Sequence, residues 1–262
     1  MRHILMSLAL VFGLAGCATA SASIPGEDAI TIGVKIDQPG LGRKENGVFR
    51  GFEVDVGSYI ARRLGASKVT FKEVRSDNRE QKLEAHSVDL VLAPYSITPD
   101  RANLVTFAGP YYVAHQDVMV KRGDTRIRTI RDLNGRKMCQ ASGSVSTERV
   151  VNGLGIATNL VPASSYSDCV AKLRAGAVDA VSTGDLVLAG FAAPDVQILN
   201  VPFTDERYGV GMRKGDIDAC EKVNRAITTM YQDGTASRLL RKWFGSSGLK
   251  LVEEVPQFEG CS

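Results

Sequence analysis

The sequence predicts an α/β fold made of two lobes, and two observations lead to that prediction. Strand-like and helix-like segments alternate along the 262 residues, which is typical of layered α/β domains with largely parallel sheets. A short motif also recurs, because VMVKRGD (118–124) is echoed by VGMRKGD (210–216). We therefore expect the chain to cross twice between two lobes, with a ligand cleft at the hinge.

The first block of the chain, up to the first copy of that motif, alternates as an α/β unit should. Its predicted strands are apolar and rich in β-branched residues, and they are 29–36, 68–74, 89–95 and 115–124. Its predicted helices have apolar residues at helical spacing, and they are 52–65, which ends in a glycine, and 78–88.

The second block continues the alternation. Its predicted strands are 136–141, 159–163 and the runs VDAVST, VQILNVPF and YGVGMRKGD. Its predicted helices are 130–135, 145–153, 165–176, one after VDAVST, and two over 217–245 that break at Asp233-Gly234. We expect lobe 1 to comprise residues 30–115 and 208–262, and lobe 2 to comprise residues 116–207.

Residues 1–17 predict a lipoprotein signal peptide. Arg2 is followed by an apolar run, 4–14, that is too short to span a bilayer. The run ends in Leu-Ala-Gly-Cys, the pattern in which the cysteine, here Cys17, is acylated. An ordinary secretory signal with an incidental cysteine is the alternative. Residues 18–29 then predict a flexible tether, so we expect the mature chain outside the cytoplasm, anchored to the cell membrane by lipid.

Export also bears on the remaining cysteines. With Cys17 lipidated, four are left, an even number that predicts disulfides in an oxidising compartment. Four cysteines allow three pairings, and we favour Cys139–Cys169 with Cys220–Cys261, because each closes a loop of moderate length. A zinc site is the rival interpretation, but no CxxC or HxxxH spacing supports it, and we predict neither metal nor cofactor.

Composition and motifs argue against several function classes. The net charge is only +3, and no run of five basic residues gives an electrostatic footprint for nucleic-acid binding. The chain has three histidines and no GxSxG, HExxH or P-loop motif, so no catalytic arrangement is predicted. We therefore expect a binding protein rather than an enzyme.

The segment Ser96-Ile97-Thr98-Pro99-Asp100-Arg101 is a candidate binding loop. It follows the predicted strand 89–95, so its polar groups are expected at the carboxyl edge of a sheet, where open α/β sheets bind ligands. Arg101 offers a planar, two-pronged donor to a carboxylate. Thr98 also reads as a plain helix cap, and both interpretations can hold together.

A second candidate loop, Gly143, Ser144 and Val145, lies between a predicted strand and a predicted helix. Free backbone N–H groups and the helix dipole suit an anionic group there. A simple Ser/Thr-rich helix cap is the alternative.

Several motifs follow one another in an order that one protein family shares. GFEVDVGSYIARRL (51–64) is followed by SITPDR, FAGPYY, GRKMCQASGS and GAVDAVSTGD. This order resembles family 3 of the solute-binding proteins, the amino-acid receptors of ABC importers, and the resemblance covers residues 29–245. DQPGLG, SDNRE and YSDC are most similar to the glutamate-type lipoproteins of actinobacteria. The resemblance implies a type II periplasmic-binding-protein fold, two α/β lobes joined by a two-strand hinge.

The resemblance also implies roles for individual residues. Arg101 matches the arginine that holds the ligand's α-carboxylate, and Ser96 matches the neighbouring hydroxyl contact. Ser76 and Arg79 match positions that reach the acidic side chain in glutamate and aspartate receptors. This fits the need of a dicarboxylate for two cationic partners. A solvated charge at the start of a helix is the alternative for Arg79.

Three places depart from the family pattern. Pro94 stands where a serine or threonine often binds the α-ammonium group, so only its carbonyl remains. Val145 replaces a threonine, which leaves its N–H for the α-carboxylate. Gly184 occupies the position of the ammonium-binding carboxylate. Asp185, one residue further on, is expected either to take over that contact or to cap the next helix; we favour the cap and keep Asp185 among the candidate ligand-binding residues.

The leading hypothesis is a lipid-anchored extracytoplasmic receptor, acting as a monomer, that binds an amino acid of the glutamate or aspartate type and passes it to an ABC permease. A second hypothesis is altered specificity for a carboxylate ligand without an α-amino group, because Gly184 supplies no carboxylate. A third is an enzyme resembling cyclohexadienyl dehydratase, with Asp185 as a general acid, and a fourth is a sensor or scaffold lipoprotein without transport.

Overall fold

The computed structural model describes Ile24 and residues 28–261, and it shows a mixed α/β fold. The predicted signal peptide and Cys17 lie outside the described residues. The strands are β1 (Ala29–Val34), β2 (Asp37–Gln38), β3 (Gly42–Glu45), β4 (Val48–Arg50), β5 (Lys68–Glu73), β6 (Leu90–Val91), β7 (Val105–Lys121), β8 (Lys137–Ala141), β9 (Asn159–Ala163), β10 (Val181–Gly184), β11 (Val196–Ile198) and β12 (Thr204–Arg213). The α-helices are α1 (Phe52–Arg63), α2 (Arg79–Glu84), α3 (Pro99–Leu104), α4 (Ser146–Glu148), α5 (Tyr166–Ala175), α6 (Asp185–Gly190), α7 (Ile217–Gln232) and α8 (Thr235–Phe244).

Lobe 1 is built on three parallel strands, in the order β5-β1-β6. The predicted strand 89–95 is much shorter in the structure, because β6 ends at Val91. Beyond it the backbone turns toward β12, where the N–H of Gly209 donates to the carbonyl of Tyr95 and that of Ile97 donates to Arg207. The residues after β6 therefore reach the sheet edge at which a ligand site is expected.

Two long antiparallel strands connect the lobes. The strand predicted to begin at 115 begins ten residues earlier, because β7 spans 17 residues from Val105 to Lys121. It pairs with β12 from Val105↔Arg213 to Gln116↔Thr204, with a bulge beside Tyr208. β10 and β11 extend the far end of β7, and the parallel pair β8-β9 completes the second lobe. The β7-β12 ribbon is therefore the two-strand hinge.

A three-stranded sheet, β2-β3-β4, was missing from the sequence-based prediction. The turn between β3 and β4 is Asn46-Gly47, and both residues have positive φ, 49° and 81°. Asn-Gly with two positive φ values is typical of a tight hairpin turn. The hairpin signal was therefore present in the sequence, but its strands are too short and too polar to predict from periodicity.

Most predicted helices are found, and two of them differ in type. The helix predicted at 145–153 begins as α4 and continues as a π-helix over Arg149–Gly153. Single turns of π-helix occur frequently at functional sites. The helix predicted at 130–135 is a 3-10 turn, Ile130–Leu133. Among the described residues, no helix combines the length and the apolar character needed to cross a membrane.

The core of lobe 1 lies between its sheet and the helices packed on it. Ile60 of α1, Ile227 of α7 and Leu240 of α8 are fully buried in one hydrophobic cluster with Ile32 of β1. The chain runs into β1 beside the start of β5, because the carbonyl of Asp28 accepts the N–H of Lys68 and the hydroxyl of Ser67, at 2.8 and 2.9 Å. The amino end of β1 therefore lies at the opposite sheet edge from the residues that follow β1 and β6.

The four cysteines of the described chain form two disulfides, Cys139–Cys169 and Cys220–Cys261. Their Cα atoms are 5.5 and 5.8 Å apart, within the usual range for a disulfide. The favoured pairing is confirmed, and the rival zinc site is wrong, because disulfide sulfurs are not available as thiolate ligands. The first bond joins β8 to α5 of lobe 2.

Candidate functional site

A small cavity lies between the lobes, at the carboxyl ends of β1, β5 and β6. Open parallel sheets bind ligands at this edge because loops with free polar groups follow each strand there. Lys35 follows β1, Ser76 follows β5 and Pro94 follows β6, and all three line the cavity. The cavity therefore forms where the topology of the sheet predicts it.

Arg101 is fixed at the start of α3. The hydroxyl of Thr98 accepts the Arg101 N–H at 3.3 Å, so the predicted helix cap is confirmed. The guanidinium donates through Nη1 to the carbonyl of Ser96 at 2.9 Å and through Nη2 to that of Gly143 at 3.0 Å. Burial lowers the pKa of Arg101 to about 10. Its side chain spans the cleft and lines the cavity with its planar donor group.

Arg79 is a second buried guanidinium at the cavity. Its side chain lies 3.6 Å above the centre of the Tyr95 ring, and Nη1 donates to the carbonyl of Ala93 at 3.1 Å. It is only 1% exposed, so the alternative of a solvated charge is wrong. Arg101 lies 5.3 Å from the centre of the same ring. The ring thus supports two cations by cation–π contact, on one wall of the site.

Lys35 adds a third cation, which the sequence analysis did not identify. Its Nζ donates to the hydroxyl of Ser76 at 2.7 Å, and its side chain is 6% exposed. Burial, and next the charge of Arg79, lower the pKa of Lys35 to about 7. The ammonium group is therefore costly to keep charged in the empty cavity, and an anion beside it would favour the charged form.

Lobe 2 contributes a cluster of hydroxyl groups. The Oγ of Ser144 lies 2.7 Å from the Oη of Tyr166, which donates to the Oγ of Ser146 at 3.1 Å. Ser146 donates in turn to Thr183 at 3.4 Å. Val145 lines the cavity between these side chains. Hydroxyl groups in this arrangement can turn their hydrogens toward a bound oxyanion.

The two lobes touch across the cleft. Ser142 donates to Asp77 at 3.1 Å, and Ser167 donates to the carbonyl of Asp37 at 2.7 Å. Gly143 has a φ of +69°, and a Cβ there would lie 2.5 Å from the Asp77 nitrogen in the other lobe. This close approach needs a residue without a side chain. The structure is therefore that of a closed cleft.

Glu206 is the carboxylate at the cavity, and the sequence analysis missed it. It lies on β12, is 1% exposed, and accepts the hydroxyl of Ser96 at 2.6 Å. Arg149, from the π-helical turn, forms an ion pair with its other oxygen. No local motif marked Glu206, because it precedes the strand that was predicted from YGVGMRKGD.

Asp185 does not line the cavity, which corrects its inclusion among the ligand-binding candidates. It is the first residue of α6, and its carboxylate accepts the N–H of Leu186 at 2.6 Å. A Cβ on residue 184 would overlap the Tyr208 hydroxyl and lie 3.1 Å from Tyr208 Cζ. Tyr208 therefore fills the space toward which a side chain at Gly184 would point, and Thr183 forms the cavity wall instead.

We expect Asp185→Asn to stabilise the protein by about 1–2 kcal/mol at pH 7.5. Burial raises the pKa of Asp185 to about 6 from 3.8, so the folded state binds more protons than the unfolded state between these values. Wild-type stability should therefore fall as pH rises through this window. Urea unfolding at pH 3.5 and 7.5 measures the effect, which should vanish at the lower pH. Asp195→Asn, at a half-exposed carboxylate, is the control; equal stabilities at pH 7.5 would contradict the expectation.

Most of the predicted ligand-binding residues meet at the cavity. Those that line it are Ser76, Arg79, Pro94, Ser96, Arg101, Ser144 and Val145. Gly143 lies behind this wall and contacts Arg101 through its carbonyl. The residues that the sequence analysis missed are Lys35, Gln38, Ala93, Ser146, Tyr166, Thr183, Val187, Glu206 and Tyr208. Lys35 could have been found, because it directly follows a strand of the parallel sheet.

The charges of the cavity favour an anionic ligand. Lys35, Arg79 and Arg101 are buried there, while Glu206 already pairs with Arg149. Arg79 Nε also lies 3.5 Å from the carboxylate of Glu80, outside the cavity. The three cations on the cavity wall still outnumber its one carboxylate, and a ligand carboxylate would offset the cost of burying the excess charge. Arginine on one side and hydroxyl groups on the other suit a small molecule with two carboxylates.

Comparisons with known proteins identify the family of the chain. The model of the family "Bacterial extracellular solute-binding proteins, family 3" matches residues 30–246. The glutamate-binding protein GluB of Corynebacterium glutamicum is 35% identical over 244 residues, which cover 87% of this chain and 82% of that protein. The family binds amino acids and works with an ABC permease.

Solved structures give the same fold. An ancestral arginine-binding protein bound to arginine matches with a TM-score of 0.77 at 32% identity, covering 84% of this chain and 100% of that one. The ancestral amino acid-binding protein AncCDT-1, a precursor of cyclohexadienyl dehydratase, matches with a TM-score of 0.76 at 30% identity, covering 83% and 96%. The predicted two-lobe, type II periplasmic-binding-protein fold is confirmed. The chain belongs to the bacterial extracellular solute-binding proteins of family 3.

Proposed function

We propose that the chain is a lipid-anchored, monomeric receptor that binds an amino acid of the glutamate or aspartate type and delivers it to an ABC permease. The observation that carries this proposal is the pair of buried guanidinium groups, Arg79 and Arg101, beside one aromatic ring, Tyr95. Two separate cations suit a ligand with two carboxylates. The similarity to a glutamate-binding protein supports the same ligand class.

Each carboxylate of the ligand has its own set of donors in this proposal. Arg101 binds the α-carboxylate with the backbone N–H of Val145 and with the Ser96 hydroxyl, which turns its hydrogen from Glu206 to the ligand. Arg79 and Ser76 bind the side-chain carboxylate, with Lys35 beside them. Val145 belongs to lobe 2 and the other groups follow different strands of lobe 1, so one ligand contacts both lobes.

Binding by both lobes would drive closure about the hinge. We assign lobe 1 to residues 30–115 and 208–262, and lobe 2 to residues 116–207. A ligand held by both lobes has a higher affinity for the closed form than for the open form, and it therefore shifts the population toward closure. The permease would then distinguish the closed, loaded receptor from the open one.

Isothermal titration of the purified protein with the twenty amino acids and common dicarboxylates tests the ligand class. We expect heat with L-glutamate or L-aspartate and none with the basic amino acids. Mass spectrometry of any small molecule that co-purifies is an independent check. Absence of heat and of thermal stabilisation with every acidic amino acid would overturn the proposal.

Lipid anchoring has a separate test, because it depends on Cys17 alone. We expect a Cys17→Ser variant to lose incorporation of a labelled fatty acid and to appear in the culture medium. Wild-type protein without lipid label would exclude the anchor and would leave the ligand proposal unaffected.

A carboxylate ligand without an α-amino group is the second candidate. Two observations favour it: Gly184 has no side chain, and Glu206 is already paired with Arg149. Turnover is not part of this proposal, despite the similarity to AncCDT-1. Incubation with prephenate or arogenate, followed by chromatography, should show unchanged substrate.

A further inference from the structure

The position of Glu206 limits where a ligand's ammonium group can bind. Among the described residues that line the cavity, Glu206 is the one carboxylate. It lies on the hinge strand β12, is 1% exposed, and has one oxygen within 2.6 Å of the Ser96 hydroxyl. Among the other charged side chains that line the cavity, an ammonium group would meet only the cations Lys35, Arg79 and Arg101.

The neighbourhood of residue 184 cannot supply a second carboxylate. A Cβ at Gly184 would overlap the hydroxyl of Tyr208, which is itself buried and lines the cavity. Asp185 is committed to the start of α6, where it accepts the N–H of Leu186. The acidic side chain on the hinge is therefore the remaining partner for a cation.

Arg149 differs from the other two arginines of the site. Arg79 and Arg101 are fixed by backbone carbonyls, those of Ala93, Ser96 and Gly143. Arg79 Nε also lies 3.5 Å from the carboxylate of Glu80, which does not line the cavity. Within the described part of the chain, the partner that holds the Arg149 guanidinium is Glu206. The Arg149 side chain is 24% exposed and begins a π-helical turn, so it has a path to solvent when that contact is lost.

We infer that Glu206 binds the α-ammonium group of the ligand, and that Arg149 is its counter-ion only while the cleft is empty. This inference rests on the proposed function. The ligand's ammonium group displaces the Arg149 guanidinium, so one cation replaces another and Glu206 is never left unpaired. The exchange removes the penalty of a buried, uncompensated carboxylate in both states.

The exchange also makes the site selective for amino acids. A dicarboxylate without an ammonium group satisfies Arg79 and Arg101 equally well, but it leaves Arg149 on Glu206 and gains nothing from that side of the cavity. Selectivity is then set by Glu206 and Arg149 together, and it can be altered without changing the contacts of either carboxylate.

Two ligand pairs that differ only in the α-ammonium group test the inference: L-glutamate with glutarate, and L-aspartate with succinate. Titration calorimetry at pH 7.5 gives the ratio of the two dissociation constants for each protein. We expect Glu206→Gln to weaken amino-acid binding by about 30-fold or more, because the ammonium group loses its buried charge partner, and to leave glutarate binding the same or tighter. Arg149→Met should change the ratio in the opposite direction, toward the amino acid.

Glu148→Gln is the matched control, because it removes an exposed carboxylate next to Arg149 and should leave both ratios unchanged. If the ratio of dissociation constants within each ligand pair is the same in wild type and Glu206→Gln, the inference is overturned and the proposed function is unaffected. If Arg149→Met weakens the binding of both ligands of a pair equally, Arg149 binds a ligand carboxylate, and the proposed exchange is overturned. Wild-type protein that binds no acidic amino acid overturns the proposed function and this inference with it. Thermal unfolding without ligand verifies that each variant is folded. If Glu206→Gln does not fold, the binding measurements on Arg149→Met test the inference.

Discussion

Replacing Arg101 with methionine is expected to weaken ligand binding by about 30-fold to several thousand-fold, the range for removing one partner of a buried, hydrogen-bonded charge pair. The guanidinium spans the cleft from Ser96 to Gly143 and is the group best placed for the ligand's α-carboxylate. In the variant that carboxylate would be buried against a thioether. Titration calorimetry with L-glutamate measures the loss.

The unliganded Arg101→Met protein should not be less stable than wild type. Burial lowers the pKa of Arg101, so we expect that removing its charge does not destabilise the fold. Urea unfolding without ligand therefore separates a binding defect from a folding defect. Arg101→Lys should bind with intermediate affinity, because it keeps the charge but loses the planar fork. Arg225→Met, at a 66% exposed side chain in α7, is the control, and unchanged affinity in Arg101→Met would place the carboxylate site elsewhere.

A second large effect is expected from Gly143→Ala, which should weaken binding by about 10- to 100-fold, because overpacking typically costs about 1–3 kcal/mol. The added Cβ would lie 2.5 Å from the Asp77 nitrogen in the opposite lobe. Backbone atoms on both sides cannot move apart unless the cleft stays partly open. Calorimetry gives the affinity, and small-angle scattering should show less compaction on ligand addition than in wild type.

Gly155→Ala is a matched control for the backbone strain of that substitution. Gly155 has a φ of +67°, close to the +69° of Gly143, but a Cβ there has nothing within 4 Å. In both variants a residue with a side chain adopts the left-handed conformation, which destabilises the folded protein by about 1–2 kcal/mol. Only Gly143→Ala should lose affinity. An equal loss in both would attribute the effect to strain in lobe 2 rather than to blocked closure.

The sequence allowed the prediction of features that depend on neighbouring residues. Arg101 could be predicted because it lies in a short motif directly after a strand of a parallel sheet, where the fold itself creates a binding edge. The helix boundaries of α1 and α5 follow from apolar spacing and from Gly65 and Gly176 at their ends. Such signals are local, and they are therefore visible without the structure.

Features that depend on distant pairing could not be predicted in this way. Glu206 is 110 residues from Ser96 in sequence, and the hinge pairing of β12 brings them together. For Asp185, the sequence permitted both a ligand contact and a helix cap. The Tyr208 hydroxyl closed off the space next to Gly184, and nothing near residue 184 in the sequence reveals that tyrosine.

The amino end of β1 lies far from the ligand cavity, which makes it a suitable place to attach the protein to a surface. Asp28 is held beside the start of β5, at the opposite end of β1 from the cavity. A six-residue strand is about 20 Å long, so a surface or dye attached on that side stands well away from the ligand. Mechanical load applied there falls on lobe 1, and lobe 2 remains free to rotate about β7 and β12. The protein is therefore suited to immobilisation by its amino-terminal side in a sensor that reads closure from a fluorophore on lobe 2.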